Sequence, residues 1–255
     1  GIRLAFAFAL LLAGASIVMQ QFLIEEPPKT DNRNDASMLS AFKLISPELK
    51  SLLVSDILTR FCEQIPYAFV VIWCVSMNKI TPFQFGILTA VEMVTAMLIY
   101  IPVAHLADKG GKKAYVVATF AFFTAFPLVL LVSHSFTMLL LAFVIRGLKE
   151  FGEPTRKSII LDLAPEGRKS SVFGAYYLIR DVIVSAAAFG GAFLWEPSIL
   201  EKLFSLFGFT VRFNAVCSPE LNLLVAAAFG LAGTLWMAFF GKDMPSAGQK
   251  GMTMQ

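Results

Sequence analysis

Charge and its absence alternate along this chain in steps of three, and few folds tolerate that rhythm. Seven apolar stretches can be read, Ile2 to Ile24, Leu52 to Val75, Phe85 to Leu106, Ala114 to Ser133, Phe136 to Gly152, Val172 to Trp195 and Leu221 to Phe240. No charged side chain falls between Leu4 and Ile24, in the fourth stretch or in the seventh, whereas the second, third, fifth and sixth each carry at least one. A charged side chain at a bilayer centre costs about 2.5 to 3.5 kcal/mol on insertion scales, so it is expected to face a protein interior or a watery cavity. The charged helices are therefore expected to surround something polar, and the charge-free ones to face lipid.

A chain that is 57% hydrophobic and 15% charged, with mean hydropathy +0.71, lies well outside soluble usage. Most of the stretches supply the roughly 20 residues a helix needs to cross a hydrocarbon core, and a barrel would show short alternating segments instead. The expected fold class is thus an all-α membrane protein, a bundle of about seven transmembrane helices. The organisation read from the sequence is a transmembrane helix over 1–24, a cytoplasmic linker over 25–51, a six-helix bundle over 52–241 and a cytoplasmic tail over 242–255. Helix starts are marked by Ser46-Pro47, Thr81-Pro82 and Ser218-Pro219, each an oxygen-bearing cap ahead of a proline suited to the first turn, and Gln84 completes a capping box with Thr81. A short surface helix near Phe42 is expected inside the linker.

Lysine and arginine collect in cytoplasmic loops. Lys109, Lys112 and Lys113 follow the third span, Arg156, Lys157, Arg168 and Lys169 follow the fifth, and the loop around His134 has neither residue type. This places the C-terminus in the cytoplasm, and the expectation is a multi-pass protein of a bacterial or archaeal inner (plasma) membrane. The chain starts at Gly1 with a span almost at once, so an N-terminal part of the protein is expected to be missing from the sequence.

The charge pattern of spans two to four returns in spans five to seven, and three helices repeated after an odd number of crossings must be inverted. Arg60, Glu63 and Pro66 echo Arg146, Glu150 and Pro154 with spacings one residue different. Between spans three and four, Ala104, Asp108, Lys109, Gly111, Lys112 and Lys113 resemble the cytoplasmic loop signature of the major facilitator superfamily. Ala104 stands where that family has glycine. A looser resemblance to the family runs from Arg146-Gly147 through Gly152, Pro154, Asp162, Pro165 and Arg168 to Gly174. The resemblance implies inverted three-helix repeats, and it identifies the seven spans with helices six to twelve of a twelve-helix secondary transporter, with the linker as the central loop. Its partners would be the N-terminal half of the same protein, a small-molecule substrate, protons and the lipid bilayer. It also implies that Asp108 and Lys112 stabilise one end-state of alternating access, with the basic residues engaging acids of the opposite half or of a cavity-helix end. Lys109 and Lys113 read as topology signals that hold the loop inside.

Asp56, Arg60 and Glu63 are four and three residues apart and share one helical face. They are either a substrate and proton site or a structural ladder of ion pairs, and Arg60 is spaced to pair with either acid. Glu92 has no basic partner nearby in its own span, which makes it the leading proton carrier, or else a neutral acid bonded to another helix. Arg180 and Asp181 point about 100° apart on a helix and need not pair with each other. Arg146 is placed to bind an anionic group of a substrate or to control an acid of span two, and Lys149 and Glu150 to form an inner gate.

Tyr176 and Tyr177 read as aromatic packing, and Gly190, Gly191, Gly230 and Gly233 as close-packing surfaces. No cofactor or metal is implied, because His105 and His134 lack ligand-spaced companions, and no phosphate loop or hydrolase motif occurs, which argues against an enzyme. The net charge of +3 suggests no nucleic-acid partner. A seven-helix receptor or sensor shares the helix count, yet the last span carries no lysine for a Schiff base.

Overall fold

A computed structural model describes residues 2–23, 44–107, 111–206, 208 and 218–242. The chain divides into two compact units, Gly1–Ser37 and Met38–Gln255. The first contains α1, Ile2–Leu23, which is free of charge after Arg3. The rest of the linker up to residue 43, the helix expected near Phe42, Cys217 and the tail from residue 243 lie outside the described residues.

The second unit is built from helices alone among the described residues, in the order α2 (Pro47–Gln64), α3 (Phe69–Ile72), α4 (Pro82–Ala107), α5 (Lys112–Leu131), α6 (Phe136–Leu148), α7 (Glu153–Leu163), α8 (Lys169–Trp195), α9 (Pro197–Leu206) and α10 (Pro219–Phe240). Between α3 and α4 the helix winds on through Trp73–Met77 in a wider turn, closed by Asn78 N–H donating to Trp73 O at 3.0 Å. The starts follow the capping chemistry read from the sequence. Ser46 and Ser218 accept from the amides of Leu49 and Leu221 at 3.2 and 3.1 Å. Gln84 Oε1 accepts from the Thr81 amide at 2.8 Å while Thr81 Oγ1 accepts from the Gln84 amide at 3.2 Å.

Among the described residues six helical segments are long and apolar enough to cross a bilayer, Arg3–Leu23, Pro47–Met77, Pro82–Tyr100, Lys112–Leu131, Lys169–Trp195 and Pro219–Phe240. The fifth expected stretch differs from its sequence reading. It does not stop at Gly152, because a short helix, α6, turns through 149–152 and resumes as α7 to Leu163. The second stretch is interrupted too, at 65–68 around Pro66. The architecture is that of a helical membrane bundle with two broken members.

In the main packing, α10 lies against α2 and α5, α4 against α6, α8 against α2, and α5 against α6. Two apolar clusters form the interior. One joins Leu49, Leu52 and Leu53 of α2 to Val116 and Phe120 of α5, Ile160 of α7 and Met237 of α10. The other joins Val70 and Trp73 to Leu88 of α4, Leu130 of α5, Phe143 of α6 and Leu223 of α10. Along the second stretch, Asp56, Arg60 and Glu63 fall between these two clusters.

The expectation that charge-free helices form only an outer shell needs correcting within this unit. α10, uncharged from Leu221 onward, packs between α2 and α5 and exposes Leu231 and Phe239 on its other side, while charged α4 and α8 also leave Met97, Leu98, Val182 and Phe189 exposed. A helix without charge still gains by close packing when its residues are small, and a charged helix need bury only the stripe that carries the charge.

Candidate functional site

The polar centre is built where the two broken helices meet. At the first break, Pro66 O accepts from the amides of Phe69 and Val70 at 2.8 and 2.9 Å, so the chain turns without leaving those groups unpaired. Gly191 of α8 packs directly on the Ile65 carbonyl, and Asn222 Nδ2 of α10 donates to Gly191 O at 2.9 Å. At the second break, the Gly152 amide donates to Thr119 Oγ1 of α5. Gly147 brings α6 onto α4, since a Cβ there would sit 2.6 Å from both Glu92 O and Thr95 Cβ. That approach carries Arg146 and Lys149 to the Glu92 carboxylate.

A continuous network of ion pairs results. Arg60 Nη1 meets Glu63 Oε2 at 2.7 Å, Arg60 Nη2 meets Glu153 Oε2 at 3.3 Å, and Arg60 Nε lies 3.8 Å from Asp56 Oδ1. Lys149 Nζ bridges two helices, 2.8 Å from Glu63 Oε1 and 3.4 Å from Glu92 Oε1. Arg146 Nε is 3.2 Å from the same Glu92 oxygen. Arg156 grips Glu153 through Nη2 at 2.5 and 2.7 Å and also pairs with Asp56. Tyr176 OH donates to Asp56 Oδ2 at 3.0 Å, and Arg180 Nη1 stands 3.5 Å from that oxygen. The arginines are also covered by rings, with the guanidinium carbon of Arg60 5.1 Å from the centre of Phe123 and that of Arg180 4.2 Å from Tyr177. Asp56 and Arg156 are each only 1% exposed, and removing two such charges from water is tolerable only with this many partners.

Three sequence expectations are corrected here. Glu92 is not unpartnered, because Arg146 and Lys149 reach it from α6, a helix whose relation to its own span no local spacing reveals. Arg180 and Asp181 do pair, at 2.7 Å, since a long arginine side chain can fold back across the 100° between neighbours while Nη1 still reaches towards Asp56. Arg146 pairs with the acid of the third span rather than the second, and Lys149 stands inside the same network.

Glu150 lies to one side, lining a groove of about 400 Å³ with Met93, Ala96, Met97 and Tyr100. Of the loop signature, Gly111 is the N-cap of α5 and Lys112 Nζ donates to Asp162 Oδ2 at 2.6 Å and to Ser158 Oγ at 2.8 Å, tying the start of α5 to the end of α7. Lys113 lies in the first turn of α5 and Ala104 in the last turn of α4, whereas Asp108 and Lys109 lie outside the described residues.

Sequence reasoning missed Glu153, which begins one residue beyond the expected end of span five. It took Arg156 for a loop charge and Tyr176 for packing. The signal available was the three-residue spacing of Glu153 and Arg156, which puts both on one helical face but does not say that the face turns inward.

What the fold defines is a class, a multi-pass helical membrane bundle with a buried ion network across two interrupted helices. No protein-family model matches the chain, and no curated protein matches it.

Proposed function

We propose that the chain is part of a proton-coupled secondary transporter of the major facilitator kind, moving a small solute by alternating access. The observation that carries the reading is the buried network joining α2 to α6 and α7 across their breaks, because interrupted helices at corresponding positions of two repeats are a recurrent setting for solute and ion sites. The two breaks fall in the first helix of each triplet. Exchanging α2 with α6–α7, α4 with α8 and α5 with α10 also leaves the main packing pattern unchanged, since α2 on α8 becomes α6 on α4, and α2 on α10 becomes α6 on α5. This agrees with inverted three-helix repeats. The pair between Lys112 and Asp162 supports the loop signature's role as a cytoplasmic latch.

In this mechanism Glu63 and Glu92 exchange protons as Lys149 and Arg60 move between partners, and the two bundles rock about the network. The test uses the full-length protein in vesicles loaded with a pH-sensitive dye and challenged with a panel of solutes. A transported solute moves protons in the parent, and Glu63→Gln and Glu92→Gln abolish that movement while inserting normally. Unaltered proton movement in both variants, or none with any solute in the parent, overturns the reading.

A further inference from the structure

Arg146 in the last turn of α6 and Lys149 at its C-cap reach the same atom, Glu92 Oε1, at 3.2 and 3.4 Å. Both separations exceed the roughly 2.7 to 2.9 Å of a charge-assisted bond between a cation and a carboxylate. One oxygen divided between two cations leaves both contacts long, although Lys149 also meets Glu63 Oε1 at 2.8 Å, and the closest approach of Arg146 to Glu92 is through Nε. The guanidinium rests instead on apolar surface, its carbon 5.1 Å from the centre of the Phe126 ring and 5.5 Å from that of Phe143. The same two cations line a cavity that also touches Glu63, Phe123 and Phe126. Its volume of about 10 Å³ holds roughly one water, so in this conformation the site is closed around its own side chains.

We propose that Arg146 and Lys149 are the anion end of the solute site, and that the solute is an organic monocarboxylate with an apolar or aromatic body. Its carboxylate takes the place of Glu92, and its body lies on the phenylalanine rings. The inference rests on the transporter reading and adds the substrate class to it. A free carboxylate brings two oxygens and its own orientation, so it can meet Arg146 with two parallel N–H donors and Lys149 with the outer lone pair, a geometry that Glu92, tethered to α4, does not reach. Glu92 stays on α4, so it takes up a proton as the solute carboxylate displaces it; one negative charge then replaces one, which favours a monoanion over a dianion or a neutral sugar in so dry a setting.

The experiment is equilibrium dialysis of the purified full-length protein in lipid nanodiscs against labelled benzoate, with benzamide as the neutral isostere. Benzoate is expected to bind saturably. Glu92→Gln removes the internal competitor and should tighten benzoate binding by about tenfold, whereas Arg146→Gln should weaken it by more than about tenfold and Arg146→Lys should restore part of the loss. Benzamide should bind more weakly than benzoate throughout. Equal binding of benzamide and benzoate, unchanged benzoate affinity in Glu92→Gln, or no saturable binding to Glu92→Gln would each overturn the proposal. Because no gradient is involved, the two readings fail separately. Carboxylate binding without solute-driven proton movement in vesicles removes the transporter and keeps the anion site, and proton movement without carboxylate binding does the reverse.

Discussion

The two inner faces of α2 stand one residue apart and are held by opposite kinds of contact. Asp56, Arg60 and Glu63 meet α6, α7 and α8 through ions, while Ser55, Thr59 and Cys62, each one position earlier, meet α10 through close approach. On the second face the hydroxyls are satisfied within the helix, Ser55 Oγ donating to Leu52 O at 2.8 Å and Thr59 Oγ1 to Ser55 O at 2.9 Å. The surface they leave is small and neutral, and glycines of α10 fit against it. On the first face the side chains are long and find their partners on other helices. A seam of small residues has one way to close, whereas a set of carboxylates and cations has several pairings of similar energy.

Three substitutions would break or sharpen this contrast. The largest effect is expected from Arg156→Met, which takes from buried Asp56 and Glu153 the cation closest to both and leaves them to Arg60 and Arg180. Removing one member of a buried pair costs about 3 to 5 kcal/mol, so the melting temperature of the purified protein followed by loss of helical circular dichroism should fall steeply. A variant that melts with the parent would mean that the ionic face is not structural at this end. Next comes Gly233→Val on the small face, where even a Cβ would sit 2.5 Å from Thr59 Oγ1 and 2.8 Å from Ser55 O. Overpacking of that sort costs about 1 to 3 kcal/mol, read in the same melt, and an unshifted curve would show that α10 can slide along α2. The smallest change is expected from Gly190→Ala, since nothing lies within 4 Å of a Cβ at that position. The helix itself gains by up to about 1 kcal/mol from the exchange, so stability should hold or rise slightly, and a clear loss would reveal a third packing face on α8.

Much of the frame was legible in the residues. Six of the spans, the caps at Ser46, Thr81 and Ser218, and the close-packing role of Gly191, Gly230 and Gly233 all follow from local spacing and side-chain size, whereas Gly190, read as a close-packing residue too, has nothing within 4 Å of a Cβ. The breaks were not legible, although each lies at a proline. Pro102 and Pro127 sit inside unbroken helices, whereas the chain turns at Pro66 and just before Pro154. The residues beside the prolines make the difference, because the Ile65 carbonyl is met by Gly191 and the Gly152 amide by Thr119, and those neighbours come from helices far away in sequence.

By itself, then, the order of residues determined which segments become membrane-crossing helices and at what angle each charge leaves its own axis, since both depend on neighbours within a few positions. Only the tertiary structure decided that Glu92 belongs to Arg146 and Lys149, that Arg156 turns inward to Asp56 and Glu153, and that Arg180 folds back on Asp181. Pairing across helices depends on how the axes are rotated and shifted against one another. Those shifts are set by where glycines such as Gly147 let two backbones touch, and so by contacts summed over the whole bundle.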